Sequence, residues 1–119
     1  MEMSTASATA ERYVALAVAD AKEGLAELFA LDATFEAPDG SHYVGRAQIA
    51  AFYKKHLADV VPAFHIHRAV SSGDDQCWIE LAYGTPEAPV LIASNHFTVG
   101  ADGLISNLTV FLRPQPNPT

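Results

Sequence analysis

Pro89-Val90-Leu91-Ile92-Ala93-Ser94-Asn95-His96-Phe97-Thr98-Val99 runs into Gly100-Ala101-Asp102-Gly103 and then into Leu104 to Leu112. Two apolar runs joined by a short Gly/Asp turn read as a β-hairpin. Side chains alternate between the two faces of a strand. One face of the first run carries Leu91, Ala93, Asn95, Phe97 and Val99; the other carries Ile92, Ser94, His96 and Thr98. The first is the apolar face, and Asn95 is its only polar member. A buried amide costs free energy unless it finds a partner, so Asn95 is either satisfied by a neighbour or presented to a ligand.

Upstream of the hairpin lie two further strand-like runs. Ala63 to Ser71 ends at Ser72-Gly73-Asp74-Asp75, and Gln76 to Tyr83 ends at Gly84-Thr85-Pro86. Phe64, Ile66 and Val70 read as the buried side of the first, with His65 and His67 opposite. Trp78 faces away from Cys77, Ile79 and Leu81, so both faces of the second run are apolar. That pattern suits an outer sheet face covered by a second subunit, a homodimer.

The first half reads as helices. Tyr13, Leu16 and Ala17 share a face of a helix from about Ala8 to Ala19. Asp20 with Glu23 forms a capping-box pattern before a second helix with the stripe Leu25, Leu28 and Phe29, ending near Leu31. Thr34 to Ala37 is a short strand stopped by Pro38-Asp39-Gly40. After Gly45 comes a third helix with Ile49, Phe52, Tyr53 and Leu57 on its apolar face. Helices followed by a run of strands define an α+β chain, with three N-terminal helices packed on a curved antiparallel sheet. Tyr13 and Tyr53 read as core tyrosines or as two hydroxyls converging on one cavity.

Composition bounds the function. The chain has 119 residues, half of them hydrophobic, and a formal charge of −7, which fits one domain spanning 1–119. An acidic chain lacks the basic patch that nucleic acid or an anionic membrane requires. The single cysteine, Cys77, excludes an internal disulfide and reads as a small core residue. The first residues, expected to fray, have neither a basic start nor a long apolar core, so the reading is cytoplasmic with no signal peptide. The Pro-rich tail from Arg113 to Thr119 reads as extended. No phosphate loop, zinc motif or nucleophile elbow is present; His65 and His67 lack a third ligand at a clear spacing, and His42 and His56 lack a local partner. No cofactor or metal is expected.

Glu11-Arg12-Tyr13-Val14-Ala15, Leu25 to Thr34, Gly45 to Tyr53 and Asn95-His96-Phe97 with the following hairpin together resemble the ketosteroid isomerase branch of the NTF2-like, SnoaL-like superfamily. The resemblance implies a cone-shaped fold around a hydrophobic cavity, and a dimer through the outer sheet face. It places Tyr13 at the oxyanion tyrosine, Tyr53 at a supporting tyrosine and Asn95 where the family has a protonated aspartic acid. Ala37 stands where the family has its aspartate base. An amide still donates to an oxyanion, but a methyl group takes no proton, and a general base contributes on the order of 10² to 10⁴ in rate. Asp39 is a turn residue before Gly40 rather than a substitute base. The implied site has Tyr13 and Asn95 as catalytic donors, with Phe29, Phe35, Ala37, Phe52, Tyr53, Phe97 and Phe111 around the substrate. The reading is a diverged isomerase-like or cyclase-like enzyme acting on a hydrophobic carbonyl compound. The alternative is a non-catalytic binding module for a steroid-like or polyketide-like ligand. A carboxylate or histidine in the cavity would favour the enzyme; a cavity with no ionisable group but tyrosine would favour binding.

Overall fold

The computed structural model describes residues 4–18, 22–56, 64–85 and 87–112. The order is α1 Thr5–Val18, α2 Lys22–Glu27, β1 Phe29–Glu36, β2 His42–Val44, α3 Arg46–His56, β3 His65–Ser72, β4 Gln76–Thr85, β5 Ala88–Val99 and β6 Ile105–Leu112. The six strands form one sheet in the order β2-β1-β6-β5-β4-β3. Asp20 of the expected capping box, Leu57 and the Pro-rich tail lie outside the described residues, as does the side chain of His56.

α1 forms where small and apolar residues recur at helical spacing. Ala6, Ala10, Tyr13, Val14 and Ala17 are buried along one face, which lies against β3, β4 and β5. Two sheet turns fix its start. The Asp74 carboxylate, between β3 and β4, accepts from the Thr5 backbone N–H and from the Thr5 hydroxyl, both at 2.8 Å. These bonds favour the charged form and hold the Asp74 pKa below its usual range. At the β5–β6 turn the Thr9 hydroxyl donates to the Gly103 carbonyl at 2.9 Å. Gly103 has φ of 80°, the left-handed region that glycine enters at little cost.

The second helix is shorter than its apolar stripe suggests. It ends at Glu27, and Phe29 opens β1 instead of closing a helix. Tertiary partners claim that backbone. Ile105 N–H donates to the Leu28 carbonyl at 2.8 Å. The Arg46 guanidinium donates to the Phe29 carbonyl through Nε at 2.9 Å and Nη2 at 2.6 Å. A helix running on to Leu31 would forfeit these bonds. Leu31 is 76% exposed, so little apolar burial opposed the outcome.

The sheet departs from the expected antiparallel pattern at one seam. β1 pairs with β6 in parallel, whereas the other neighbours are antiparallel. The third helix is inserted after β1 and β2, so the three helices do not all precede the strands. A second departure is on β3. The register with β4 shifts between Ile66 and Arg68, a bulge that reverses the facing of the residues beyond it. Ala69 and Ser71 therefore pair with Ile79 and Cys77, and Val70 pairs with Trp78 on the outer face. Val70, expected on the buried side, is 58% exposed.

The core lies between the helices and the concave sheet face. Phe29, Phe35, Phe97, Leu25, Ile49, Ile79, Ile105, Leu108 and Cys77 are its largest fully buried side chains. Burying each large apolar side chain contributes about 1.5–3 kcal/mol. No helix among the described residues is long and apolar enough to cross a membrane. Leu108→Ala is expected to lower stability by about 2–5 kcal/mol, while Leu31→Ala should stay within roughly 0.5 kcal/mol of the parent. Urea unfolding of both variants checks this; a large loss for Leu31→Ala would contradict the early end of α2.

Candidate ligand site

Seven aromatic side chains from five elements meet on the concave face. Tyr13 of α1 packs edge to face on Phe97 of β5, with ring centroids 5.2 Å apart, and on Tyr53 of α3 at 6.1 Å. Phe35 of β1 joins Tyr53 at 5.6 Å and Phe52 at 4.9 Å. Phe29 touches both Tyr13 and Tyr53, and Tyr43 of β2 closes the far end against Phe52 at 4.8 Å. Such pairs contribute about 0.5–1.5 kcal/mol beyond burial. They also fix the direction of each phenol.

Those directions bring the two hydroxyls together. Tyr13 Oη and Tyr53 Oη are 2.5 Å apart in a buried hydrogen bond. One phenol donates and the other accepts, so the accepting phenol keeps its own O–H for a further partner. Burial pushes the Tyr13 pKa up from 10.0 to about 12, offset in part by the bond from Tyr53. Burial likewise holds the Tyr53 pKa well above the usual range, and the Tyr13 neighbour adds to the rise. Both side chains are therefore neutral hydrogen-bonding groups throughout ordinary pH.

Asn95 is buried in the inward row of β5. Its cross-strand neighbours are Ile79 on β4 and Val110 on β6. Its Oδ1 has no hydrogen-bond partner among the described residues. Ala37 extends the inward row Ala33 and Phe35 just past β1 and is 5% exposed. Its backbone closes the following turn: its N–H donates to the Ser41 carbonyl, and its carbonyl accepts from Gly40, each at 2.9 Å. Asp39 is exposed, and its carboxylate accepts from the Ser41 N–H at 2.9 Å, the turn bonding its sequence context implies.

Two open pockets flank the cluster. One, of about 420 Å³, lies between α1 and strands β3 and β4, bounded by Ser7, Glu11, Ile66, Ala69, Cys77 and Ile79. The other, of about 390 Å³, opens beside Tyr43 and Phe52 and includes His42, Gln48 and Lys55. Both volumes fall within the range of small-molecule sites. Neither was evident from sequence. The first depends on the β3 bulge, which turns Ala69 inward.

Phe111 does not join this group. It is 51% exposed on the convex face and stacks on Trp78 at 6.5 Å. The apolar alternation Leu108, Val110, Leu112 marks the inward row of β6 and leaves Phe111 with Asn107 and Thr109 outside. Reading Phe111 by residue type instead of by its place in that alternation caused the misplacement. His96 also lies outside, stacked on Trp78 with centroids 4.0 Å apart, and its Nε2 is 3.0 Å from Gln76 Oε1. Partial burial lowers its pKa. His65 and His67 are exposed. His42 meets Glu36 across the β1–β2 pairing at 3.7 Å, a partner not visible in the local sequence.

The family model for the SnoaL-like domain matches residues 10–108, and the chain belongs to that family. No curated protein matches it. Among solved structures it is similar to a steroid delta-isomerase from Pseudomonas aeruginosa, with a TM-score of 0.74 and 24% identity, over 94% of this chain and 82% of that one. It is also similar to Rv0760c from Mycobacterium tuberculosis in complex with estradiol-17beta-hemisuccinate, with a TM-score of 0.75 and 23% identity, over 92% and 94% of the two chains. A computationally designed 17-OHP binder matches with a TM-score of 0.75 and 24% identity over 92% and 94%. At these identities the likeness establishes the NTF2-like fold.

The buried phenols predict an alkaline transition. The folded Tyr13 phenol ionises at higher pH than the same phenol in the unfolded chain. Its contribution is therefore fully present below pH 10.0 and is lost as pH rises toward about 12. A two-unit rise corresponds to roughly 3 kcal/mol. Denaturation midpoints measured from pH 8 to 12 should fall steeply in the parent and less steeply in the Tyr13→Phe/Tyr53→Phe double variant. Equal slopes would contradict the burial of the pair.

Proposed function

We propose that this chain is a binding module for a hydrophobic small molecule of steroid-like or polyketide-like size carrying an oxygen function. The observation that carries the reading is Ala37: a methyl group lies on the concave face where the resemblance to ketosteroid isomerase expects the aspartate base. Among the described residues no carboxylate or histidine is buried on the concave face; the buried oxygen of Glu80 lies on the convex side, beside Arg68. The remaining buried polar groups, Tyr13, Tyr53 and Asn95, are neutral. They can orient an oxygen atom and stabilise charge on it, but they do not supply a base. Solved structures of the same fold include one in complex with a steroid derivative and one designed to bind 17-OHP, which supports a ligand of that class.

One observation keeps an isomerase-like or cyclase-like activity as a second reading. Glu11 borders the pocket between α1 and the sheet, and a carboxylate there is available as a base to a ligand that reaches it. In that case Tyr13 and Asn95 would hold the developing oxyanion.

The test uses a β,γ-unsaturated ketosteroid. The parent should bind it, seen as a rise in melting temperature with ligand concentration, and should leave its double bond in place. Ala37→Asp should gain measurable isomerisation, read by absorbance of the conjugated product. A folded, steroid-binding Ala37→Asp variant that stays inert would show that base and donors are misaligned. Turnover by the parent that is lost in Glu11→Gln would establish the second reading.

The convex face supports a homodimer. Val70, Trp78 and Phe111 expose apolar surface there, and the stacked Trp78 and His96 rings form a flat aromatic platform. Sedimentation of the parent should give twice the chain mass, and Trp78→Glu should give one chain. A monomeric parent at high concentration would remove this part of the proposal.

A further inference from the structure

Asn95 carries a demand that a carbonyl compound does not meet. Its side chain is 3% exposed, and it sits between the inward-facing Ala93 and Phe97 on its own strand. Across the sheet it faces Ile79 and Val110. None of these four side chains has a polar atom. The Oδ1 atom has no donor among the described residues, and a buried acceptor left without a donor carries a desolvation penalty. Asn95 does not itself line the pocket of about 420 Å³ between α1 and strands β3 and β4, but its cross-strand neighbour Ile79 does, so a ligand entering there reaches the amide by displacing that side chain.

Glu80 Oε1 on the convex side is also buried without a hydrogen bond, but it has the Arg68 guanidinium 3.3 Å away; the buried hydroxyls of the interior are matched. The Tyr13 and Tyr53 hydroxyls satisfy one another and keep one O–H in reserve. The buried Thr9 hydroxyl is used by the Gly103 carbonyl. The concave face thus holds a vacant acceptor at Asn95 and a spare donor at the phenol pair. The Tyr13 ring lies on Phe97, two residues along the strand from Asn95.

From this we infer that the site selects a ligand presenting a hydroxyl group, an alcohol or a phenol, to Asn95, in preference to the ketone of the same skeleton. This rests on the binding reading above and narrows its ligand class. A hydroxyl donates to Oδ1 and also accepts from the Asn95 amide N–H. A ketone oxygen only accepts. With a ketone bound, the amide can donate, but Oδ1 stays buried and unpaired. Sites built around a hydrogen bond discriminate strongly against an analogue that leaves a buried partner unmatched. Asn95 is in this view a specificity residue acting as an acceptor. A protonated carboxylic acid at the same position would turn its O–H toward a ligand and favour the ketone.

The test compares 5α-androstan-3β-ol and its 3α epimer with 5α-androstan-3-one, steroids that carry a single oxygen function. Dissociation constants are measured by calorimetry for the parent and for Asn95→Leu. The parent should bind at least one alcohol about tenfold or more tightly than the ketone, and Asn95→Leu should bring that ratio close to one. The variant should also melt no lower than the parent, because an unpaired acceptor is exchanged for apolar volume. If alcohols and ketone bind the parent equally, or if the preference survives in Asn95→Leu, the selectivity is overturned and the hydrophobic-ligand reading stands. If none of the three steroids binds the parent, that reading fails as well. A variant too unstable to fold would show that Asn95 has a structural partner, which also overturns the inference.

Discussion

The contact between Tyr13 and Tyr53 governs the interior. It joins the first helix to the third through a buried hydroxyl pair and sets both rings among Phe29, Phe35 and Phe97. Phenols suit this position because each combines a large apolar ring with one polar atom that needs a single partner. Two phenylalanines would fill similar volume but remove the hydroxyl donor from between α1 and α3. Two ionisable groups of lower pKa would bring charge into a low-dielectric space, which burial opposes. The tyrosine pair keeps the interior neutral while retaining one hydrogen for an oxygen-bearing guest.

That arrangement needs α1 at a defined height over the sheet, and the sheet turns supply it. Asp74 holds the first turn of α1, and the Gly103 carbonyl holds Thr9 one turn later. Two hairpin turns on the same side of the sheet therefore anchor the helix N-terminus. The buried stripe Ala6, Ala10 and Tyr13 then descends from the anchored end toward Phe97. Small residues near the turns permit close approach, and the first large side chain stands where the strands leave room for a ring. Position along the helix, more than any single contact, places Tyr13.

Much of this was legible in the chain, for identifiable reasons. Alternation from Ala93 to Val99 isolates Asn95 among apolar residues because that part of β5 keeps its parity; before it the register with β4 shifts at Ile92, which packs toward the core in place of Leu91. Helical spacing likewise puts Tyr13 and Tyr53 on inward faces. Where parity breaks, reading by pattern fails. The bulge after Ile66 reverses Val70, and no residue type in His65-Ile66-His67-Arg68 announces it. The boundary at Phe29 is set by Arg46 and Ile105, both distant in sequence, so the local stripe Leu25, Leu28, Phe29 fits a helix equally well. β2 has only three residues, too few for any periodicity. The parallel pairing of β1 with β6 joins the two ends of the fold and is invisible to a local pattern.

The two faces of the sheet divide the chemistry between them. The convex side carries His96 against Trp78, and Arg68 Nε 3.3 Å from Glu80 Oε1. The concave side carries phenols, an amide and a methyl where a base is expected. Removing a carboxylate from a buried surface relieves a desolvation cost, so Ala37 suits a stable interior better than an unpaired aspartate would. The orphan oxygen of Asn95 runs the other way, since a leucine there would bury no unpaired acceptor. Among the described residues the buried polar side chains of the concave face are neutral and Asn95 Oδ1 is unpaired, which is consistent with the proposed discrimination among oxygen functions by hydrogen-bond direction. The Asn95 amide carries no charge, so that discrimination does not depend on its ionisation.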